Sequence, residues 1–191
     1  MIRESIITTL SKEGVVHIAP MGVIWLDGVP ILAPFRPSRT LDNLKDRPFA
    51  VINHTDDVRI FAGCLTGRRD WPVRIAERIE GRVLLSALSH QEIAVERFEE
   101  DDVRPRFHCR VVHEAAHAPF RGFNRAQAAV VEAAILISRL HMLPFEKIER
   151  EMAYLEIAVG KTAGSQEKEA WSWLTQRVTA FRRQQTEKER A

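Results

Sequence analysis

The sequence is poor in cysteine, in net charge and in long apolar segments, and each absence excludes a class of protein. Its two cysteines, Cys64 and Cys109, are isolated and form no CxxC motif, which favours free thiols in a reducing, cytoplasmic compartment. The net charge of +2 gives no reason to expect a nucleic-acid or anionic-membrane partner. The longest uncharged stretch, residues 14–26, is shorter than the ~20 apolar residues that cross a bilayer, and we expect no secretory leader.

The composition is that of a globular protein. Hydrophobic residues make up 45% and charged residues 28% of the 191-residue chain, which excludes wholesale disorder. At ~100–200 residues per domain, this length predicts one domain, or one domain with an appendage. The pattern changes after Pro119, from short apolar runs to a helical spacing of apolar residues.

The first part of the chain has the pattern of short β-strands. Apolar runs with alternation occur at residues 2–7, 15–18, 23–25, 29–32, 49–52, 83–88 and 106–112. Asp27-Gly28, which separates two of these runs, is a dipeptide that closes tight hairpins. Many short strands at this spacing predict a barrel or a sandwich.

The last third of the chain has the pattern of helices. Residues 125–142 are apolar on almost every side, which predicts a helix buried over most of its surface. Pro144 opens a second helix, whose apolar residues repeat every three or four positions. Ser165 is expected to cap a third helix.

His113-Glu114-Ala115-Ala116-His117 matches the HExxH pattern. On a helix, this spacing places two imidazoles on one face for zinc, with the glutamate as general base. The neighbouring sequence disfavours a helix, because residues 106–112 have a strand pattern and Pro119 follows at once. The context favours a polar strand end and no metal site, and leaves a zinc metallopeptidase as a remote alternative.

Ser38-Arg39-Thr40, at the start of a short predicted helix, is a candidate anion site. Backbone N–H groups at a helix start bind anions, and the arginines Arg36 and Arg39 add positive charge beside them. Helix capping by Ser38 or Thr40, with solvated arginines, explains the segment equally well. Both interpretations stay open at this point.

Arg121-Gly122-Phe123-Asn124-Arg125 is a second candidate anion site. Asn124 can cap the buried helix, whereas arginines at a helix start oppose its dipole unless an anion is near. Arg121 and Arg125 therefore point to a ligand phosphate or carboxylate, a partner's acidic residue, or a local carboxylate. Asn53 ends another apolar strand, where polar groups either form a turn or line the mouth of a barrel.

Five segments together carry a family resemblance: residues 6–9, residues 17–23 (His-Ile-Ala-Pro-Met-Gly-Val), residues 34–44 with Ser-Arg-Thr, residues 50–57 and residues 121–125. The chain resembles a domain family of unknown function with the FMN-binding split-barrel fold, related to the flavin reductases. The resemblance covers nearly the whole chain, although residues 67–81 match nothing in it.

The resemblance implies a mainly β plus α fold, in which an FMN-binding split β-barrel carries a C-terminal extension of about three helices. Residues 1–118 would form the barrel, and residues 119–191 would pack on it and at a homodimer interface. The implied FMN ligands are Ser38, Arg39 and Thr40 at the phosphate, Asn43 supporting that loop, the backbone of Met21 and Gly22 along the isoalloxazine, and Phe35 and Asn53 completing the pocket.

The function implied by this resemblance is that of an FMN-dependent oxidoreductase of flavin-reductase type. Its partners would be a small-molecule electron donor and acceptor, with Arg121 and Arg125 available to an acidic substrate. The absence of a dinucleotide fingerprint favours FMN over FAD. Binding motifs fit a non-catalytic flavin module equally well, and a pterin or one-carbon accessory role also stays open.

Overall fold

The computed structural model describes residues 1–189, which form eight strands and five helices. The strands are β1 (Ile2–Leu10), β2 (Val16–Leu26), β3 (Val29–Leu32), β4 (Phe49–His54), β5 (Val73–Ile75), β6 (Arg82–Leu84), β7 (Ser89–Glu99) and β8 (Arg106–Ala116). The helices are α1 (Arg39–Asp46), α2 (Arg59–Leu65), α3 (Arg125–Ser138), α4 (Phe145–Thr162) and α5 (Ser165–Glu189).

Six strands close into an antiparallel barrel in the order β1-β2-β3-β8-β7-β4. Its interior is filled by apolar side chains from every strand, among them Ile7, Val23, Leu32, Ile52 and Phe107. Strands β5 and β6 form a separate two-stranded sheet. The prediction of a barrel with additional helices is confirmed.

The β2–β3 hairpin turns at the two residues that the sequence indicates. Asp27 has φ 49° and Gly28 has φ 82°, while Leu26 pairs with Val29 on either side of them. Two central residues with positive φ are the signature of the type I′ turn, whose twist matches that of the flanking strands.

Strand β7 was not predicted, although it lies in the barrel between β4 and β8. The predicted strand over residues 83–88 is wrong beyond Leu84, where β6 ends. In β7 the side chains of His90 and Glu92 are buried, and a register shift follows Glu92. Buried polar residues and a bulge break the apolar alternation by which a strand is recognised.

Strand β8 continues through Ala116, so the HExxH segment lies on a strand and its end. The zinc-peptidase alternative requires this segment to be helical, and that arrangement is therefore wrong. The competing prediction of a polar strand end is confirmed, with His113 partly buried and His117 exposed.

The chain divides into two compact units, one of residues 1–56 and 69–120 and the other of residues 57–68 and 121 onward. The second unit is helical and includes α2, which the sequence analysis missed. Helix α3 contacts α2, α4 and α5, and these contacts account for its nearly all-apolar surface. Its burial therefore gives no separate argument for a homodimer, which stays a prediction.

The helix boundaries follow from local chemistry. Helix α3 ends at Ser138, four residues before the predicted end, and the Arg139 N–H and Met142 N–H then make turn bonds to the Leu136 and Arg139 carbonyls before Pro144. Helix α4 starts directly after Pro144, as predicted. Ser165 is the first residue of α5, and the neighbouring Gly164 N–H is bound by Glu167 Oε2 at 2.9 Å. The expected cap at Ser165 is thus replaced by a glutamate.

Candidate functional site

The start of helix α1 has backbone N–H groups that take no part in the intrahelical hydrogen bonds. Ser38 is its N-cap, and the Ser38 Oγ accepts a hydrogen bond from the Leu41 N–H at 3.3 Å. The first intrahelical bond runs from the Asp42 N–H to the Ser38 carbonyl at 3.1 Å. The N–H groups of Arg39 and Thr40 precede that bond and lie at the positive end of the helix. Capping and anion binding, which the sequence left as alternatives, are therefore compatible.

The helix start carries the cationic side chain of Arg39, with Asp42 in the same first turn. Arg39 is exposed, and His17 of β2 is partly buried. Burial, followed by the charges of Arg69 and Arg39, lowers the pKa of His17, so both arginines act on this imidazole. Arg36, which the sequence analysis placed beside Arg39, instead forms an ion pair with Glu100. Arg69, which no local sequence signal indicated, thus acts on the same imidazole as Arg39.

Asn43 fixes helix α1 to the barrel. Its Nδ2 donates to the Thr9 Oγ of β1 at 2.8 Å, and both residues are buried. The bond anchors the helix whose N-terminus carries the candidate anion site. A supporting role for Asn43 is compatible with this contact and stays a prediction.

Asn53 lies fully inside the protein, with 0% of its surface exposed. Its Nδ2 donates to the Ile6 carbonyl at 3.0 Å, and its Oδ1 accepts from the Leu84 N–H at 2.8 Å. The amide therefore ties β4 to β1 and β6. These bonds leave the Asn53 side chain little capacity to hydrogen-bond a flavin, and its predicted role in the pocket stays a prediction.

Met21, Gly22 and Phe35 differ in what they offer a ligand. The Met21 side chain packs against the barrel core, so its backbone is the group left for a ligand. A Cβ on Gly22 would lie 2.8 Å from the Ile2 Cγ2, a distance that requires the neighbour to move. The Phe35 ring is 58% exposed, and the Arg104 guanidinium lies 4.5 Å from its centre. Sequence analysis did not identify Arg104.

The start of helix α3 is capped by the protein itself. The Asn124 Oδ1 accepts from the Ala126 N–H at 2.7 Å and from the Gln127 N–H at 3.4 Å. The Thr162 Oγ accepts from the same Ala126 N–H at 3.0 Å. An anion at this helix start would rely on the exposed side chains of Arg121 and Arg125. This second anion site stays a prediction.

The predicted site residues fall in both compact units, and each set is described within its own unit. Ser38, Arg39, Thr40 and Asn43 all lie on α1 or its cap, in the unit that contains the barrel. Arg121, Asn124 and Arg125 belong to the helical unit. The class defined by these observations is a small antiparallel barrel with a helix start whose backbone N–H groups lie beside the cationic side chain of Arg39.

The chain belongs to the DUF447 family, whose description is a protein of unknown function. The family model for the N-terminal domain matches residues 3–118, and a second DUF447 model matches residues 124–176. The resemblance to a flavin-reductase-related family of unknown function is confirmed. A search of curated proteins gives no match.

Solved structures confirm the split-barrel fold. An FMN-bound DUF447 protein from Methanosarcina mazei has a TM-score of 0.82 and 19% identity, covering 92% of this chain and 94% of that chain. The 2-nitrobenzoate 2-nitroreductase of Pseudomonas fluorescens has a TM-score of 0.53 and 17% identity, with coverages of 60% and 64%. The styrene monooxygenase flavin reductase of Pseudomonas putida has a TM-score of 0.50 and 13% identity, with coverages of 59% and 77%. Among the described residues, no helix has the length and apolar character to cross a membrane.

Proposed function

We propose that this chain binds FMN and acts as an FMN-dependent oxidoreductase of the flavin-reductase type. The observation that carries the proposal is the start of helix α1. There the N–H groups of Arg39 and Thr40 lie beside the cationic side chain of Arg39, and Arg69 and Arg39 together act on His17. A phosphate monoester carries about two negative charges, and such donors and cations are what it binds.

The similar proteins support FMN as the ligand. The FMN-bound relative from Methanosarcina mazei aligns with 92% of this chain, including the barrel and the helices. The absence of a dinucleotide fingerprint favours FMN over FAD. FMN fits the site chemically, because the helix start offers one compact group of donors for one phosphate.

The chain's own residues would bind and orient the cofactor. Bound FMN supplies the hydride-transfer chemistry, so no essential acid–base pair is required of the protein. Ser38, Arg39 and Thr40 would hold the phosphate, and Asn43 would keep α1 on the barrel. The backbone of Met21 and Gly22, together with the exposed Phe35, would face the isoalloxazine.

The remaining parts of the proposal concern partners and location. The reaction would use a small-molecule electron donor and acceptor, and Arg121 and Arg125 would attract an acidic substrate. We also infer a homodimer in the cytoplasm, as the family resemblance and the cysteine content indicate. Light scattering on the purified protein tests the dimer, and a monomeric mass at micromolar concentration would overturn it.

The first experiment is the visible absorption spectrum of the purified protein, with the released chromophore identified by mass. A flavin spectrum with the mass of FMN would support the proposal. A colourless protein that also fails to bind added FMN would overturn it.

Replacing Arg39 tests the phosphate site directly. Because hydrogen bonds to charged groups contribute about 1.5–3 kcal/mol, Arg39→Ala should raise the Kd for FMN roughly 10-fold or more. Arg36→Ala is the matched control, since Arg36 is held by Glu100 and should leave the Kd almost unchanged. Quenching of flavin fluorescence measures both values. Equal effects of the two substitutions would contradict the assignment of Arg39.

Turnover is measured separately from binding. FMN-dependent oxidation of NADH or NADPH, at a rate above that of free FMN, would support an oxidoreductase. Bound FMN without turnover under any nicotinamide or pterin donor would identify a flavin-binding module instead. Arg39→Ala should reduce turnover at low FMN concentration, and the turnover should recover at saturating FMN, because the substitution affects FMN binding.

A further inference from the structure

A group of histidines and a buried carboxylate lies on one face of strands β7 and β8. His90 and Glu92 are two residues apart on β7, so their side chains lie on the same face. Glu92 pairs with His113 of β8, and His90 pairs with Ala115, two residues further along. His117 lies just beyond β8, and its ring stacks on that of His90 with centroids 5.0 Å apart. The FMN proposal uses none of these residues.

The Glu92 carboxylate is completely buried and is bound by three backbone N–H groups. Its Oε1 accepts from the Glu77 N–H at 2.6 Å, and its Oε2 accepts from the Arg78 and Ile79 N–H groups at 2.7 and 3.1 Å. The segment 67–81, which the sequence left unexplained, thus supplies the donors that hold this carboxylate.

One acceptor position of Glu92 is directed at His90. A carboxylate has about four lone-pair positions, and the three backbone N–H groups fill three of them. The remaining position is on Oε1, which lies 3.3 Å from the His90 Nε2. The chemistry between these two atoms depends on where the His90 proton lies.

Arg74 and His117 lie at the other side of the His90 ring. The Arg74 Nη2 lies 3.0 Å from the His117 Nε2, and that Nε2 lies 2.9 Å from the His90 Nδ1. A guanidinium only donates, so in the tautomer in which the His117 Nε2 accepts, the His90 Nδ1 carries the hydrogen of their contact. In that tautomer a neutral His90 presents its Nε2 lone pair beside the Glu92 Oε1, where a metal ion can bind both atoms.

His113 provides a third donor atom to the same place. Its Nε2 is buried and, within the described residues, makes no hydrogen bond, although Glu77 Oε2 lies 3.4 Å away. One donor atom each from His90, Glu92 and His113 lies within 4.8 Å of the others. In a tetrahedral site, ligand atoms about 2 Å from one zinc ion are roughly 3.4 Å apart. A small movement of the three side chains toward one another would therefore bring their donor atoms to zinc-binding distance.

We propose that His90, Glu92 and His113 bind one divalent transition-metal ion, with Zn²⁺ favoured by the donor set. Two imidazoles and one carboxylate are the ligands that zinc accepts, with a fourth position left for water or for Glu77. His117 is a positioning residue, because it accepts the Nδ1–H of His90 and so directs the Nε2 lone pair to the ion. The bound ion would also join the 77–79 loop to the barrel wall through Glu92.

The proposal is tested with Zn²⁺ on the full-length protein after chelator treatment and dialysis. We expect one equivalent of zinc by titration calorimetry and elemental analysis, whether or not FMN is bound. His113→Ala should abolish this binding while leaving Glu92 and its backbone donors in place. His117→Ala should weaken it roughly 10-fold to 100-fold, as loss of a positioning partner does.

His108→Ala is the matched control, because His108 lies on the same strand and contacts a different glutamate, Glu99, at 3.1 Å. It should bind zinc as the wild type does. Circular dichroism establishes that each variant is folded. Zinc binding by His113→Ala at wild-type affinity, or none by the wild type at micromolar zinc, would overturn the proposal.

Nitrogen-15 NMR of the wild type distinguishes a metal ion on the His90 Nε2 from a proton on the same atom, without any variant. With zinc bound, the His90 Nε2 resonance should shift and the Nδ1 should keep its hydrogen. A His90 that carries protons on both nitrogens at neutral pH, unchanged by zinc, would show that a proton balances Glu92. That result would overturn the metal site and leave the FMN proposal untouched.

Discussion

At the scale of single residues, the asparagines show how one side chain serves structure in different ways. Asn124 caps a helix, Asn43 joins a helix to a strand, and Asn53 joins three strands. Their amides are largely occupied by the protein, so their polarity alone does not indicate a ligand. The capping role of Asn124 was predictable from its position, whereas the bonds of Asn53 depend on residues distant in the sequence.

We predict that Asn53→Ala destabilises the protein by roughly 2–4 kcal/mol, because it leaves the Leu84 N–H and the Ile6 carbonyl buried without their partner. Urea unfolding of the flavin-free protein measures this. Asn43→Ala, which removes one side-chain bond to Thr9, should cost less. A stable Asn53→Ala variant with weakened FMN binding would instead assign Asn53 to the pocket.

At the scale of secondary-structure elements, the elements set by local sequence were predictable and those set by distant contacts were not. The Asp27-Gly28 hairpin and the helix after Pro144 are set by local backbone preferences, and both are found where predicted. Strand β7 and helix α2 were missed because their sequences lack the expected periodicity. The polar residues of β7 are buried by partners such as the 77–79 loop, and no local pattern encodes that contact.

Two glycines provide opposite predictions for the same substitution. Gly28 has φ 82°, where a Cβ is strained, so Gly28→Ala should destabilise the protein by about 1–2 kcal/mol. Gly160 lies within helix α4, and a Cβ there would meet nothing within 4 Å. Gly160→Ala should therefore stabilise the protein by about 0.5–1 kcal/mol. Thermal unfolding measures both, and a shift of the same sign would contradict this interpretation.

At the scale of the whole molecule, the candidate phosphate site was only half predictable. The Ser-Arg-Thr segment identified the helix start, because its residues are consecutive in the chain. Arg69 and His17 come from separate segments, and only the fold shows that Arg69 acts on the His17 imidazole. The His90–Glu92–His113 group was predictable to a similar extent. The HExxH spacing drew attention to His113, but that pattern implies a helix where the structure has a strand.

The whole-molecule stability should fall as the pH decreases below about 6.5. Burial first of all lowers the pKa of His17 and of His54 in the folded protein below the ordinary value of 6.5. The unfolded chain therefore takes up protons first as the pH falls, and the free energy of unfolding decreases.

Urea unfolding at pH 7 and pH 5 measures this change. Replacing His17 and His54 together by glutamine should reduce the pH dependence, whereas His141→Gln, at an exposed position, should leave it intact. The same pH dependence of the free energy of unfolding in the wild type, the double variant and His141→Gln would contradict the assignment of this dependence to His17 and His54.

Helix α2 belongs to the helical unit, although it lies in the sequence between the barrel strands β4 and β7. The buried residues Ile60, Phe61 and Cys64 of that helix belong to a unit whose other helices come after residue 120. A protein cut after the barrel would keep this apolar surface and lose the helices that cover it. A cut at the boundary between the two family domains should therefore yield fragments that aggregate.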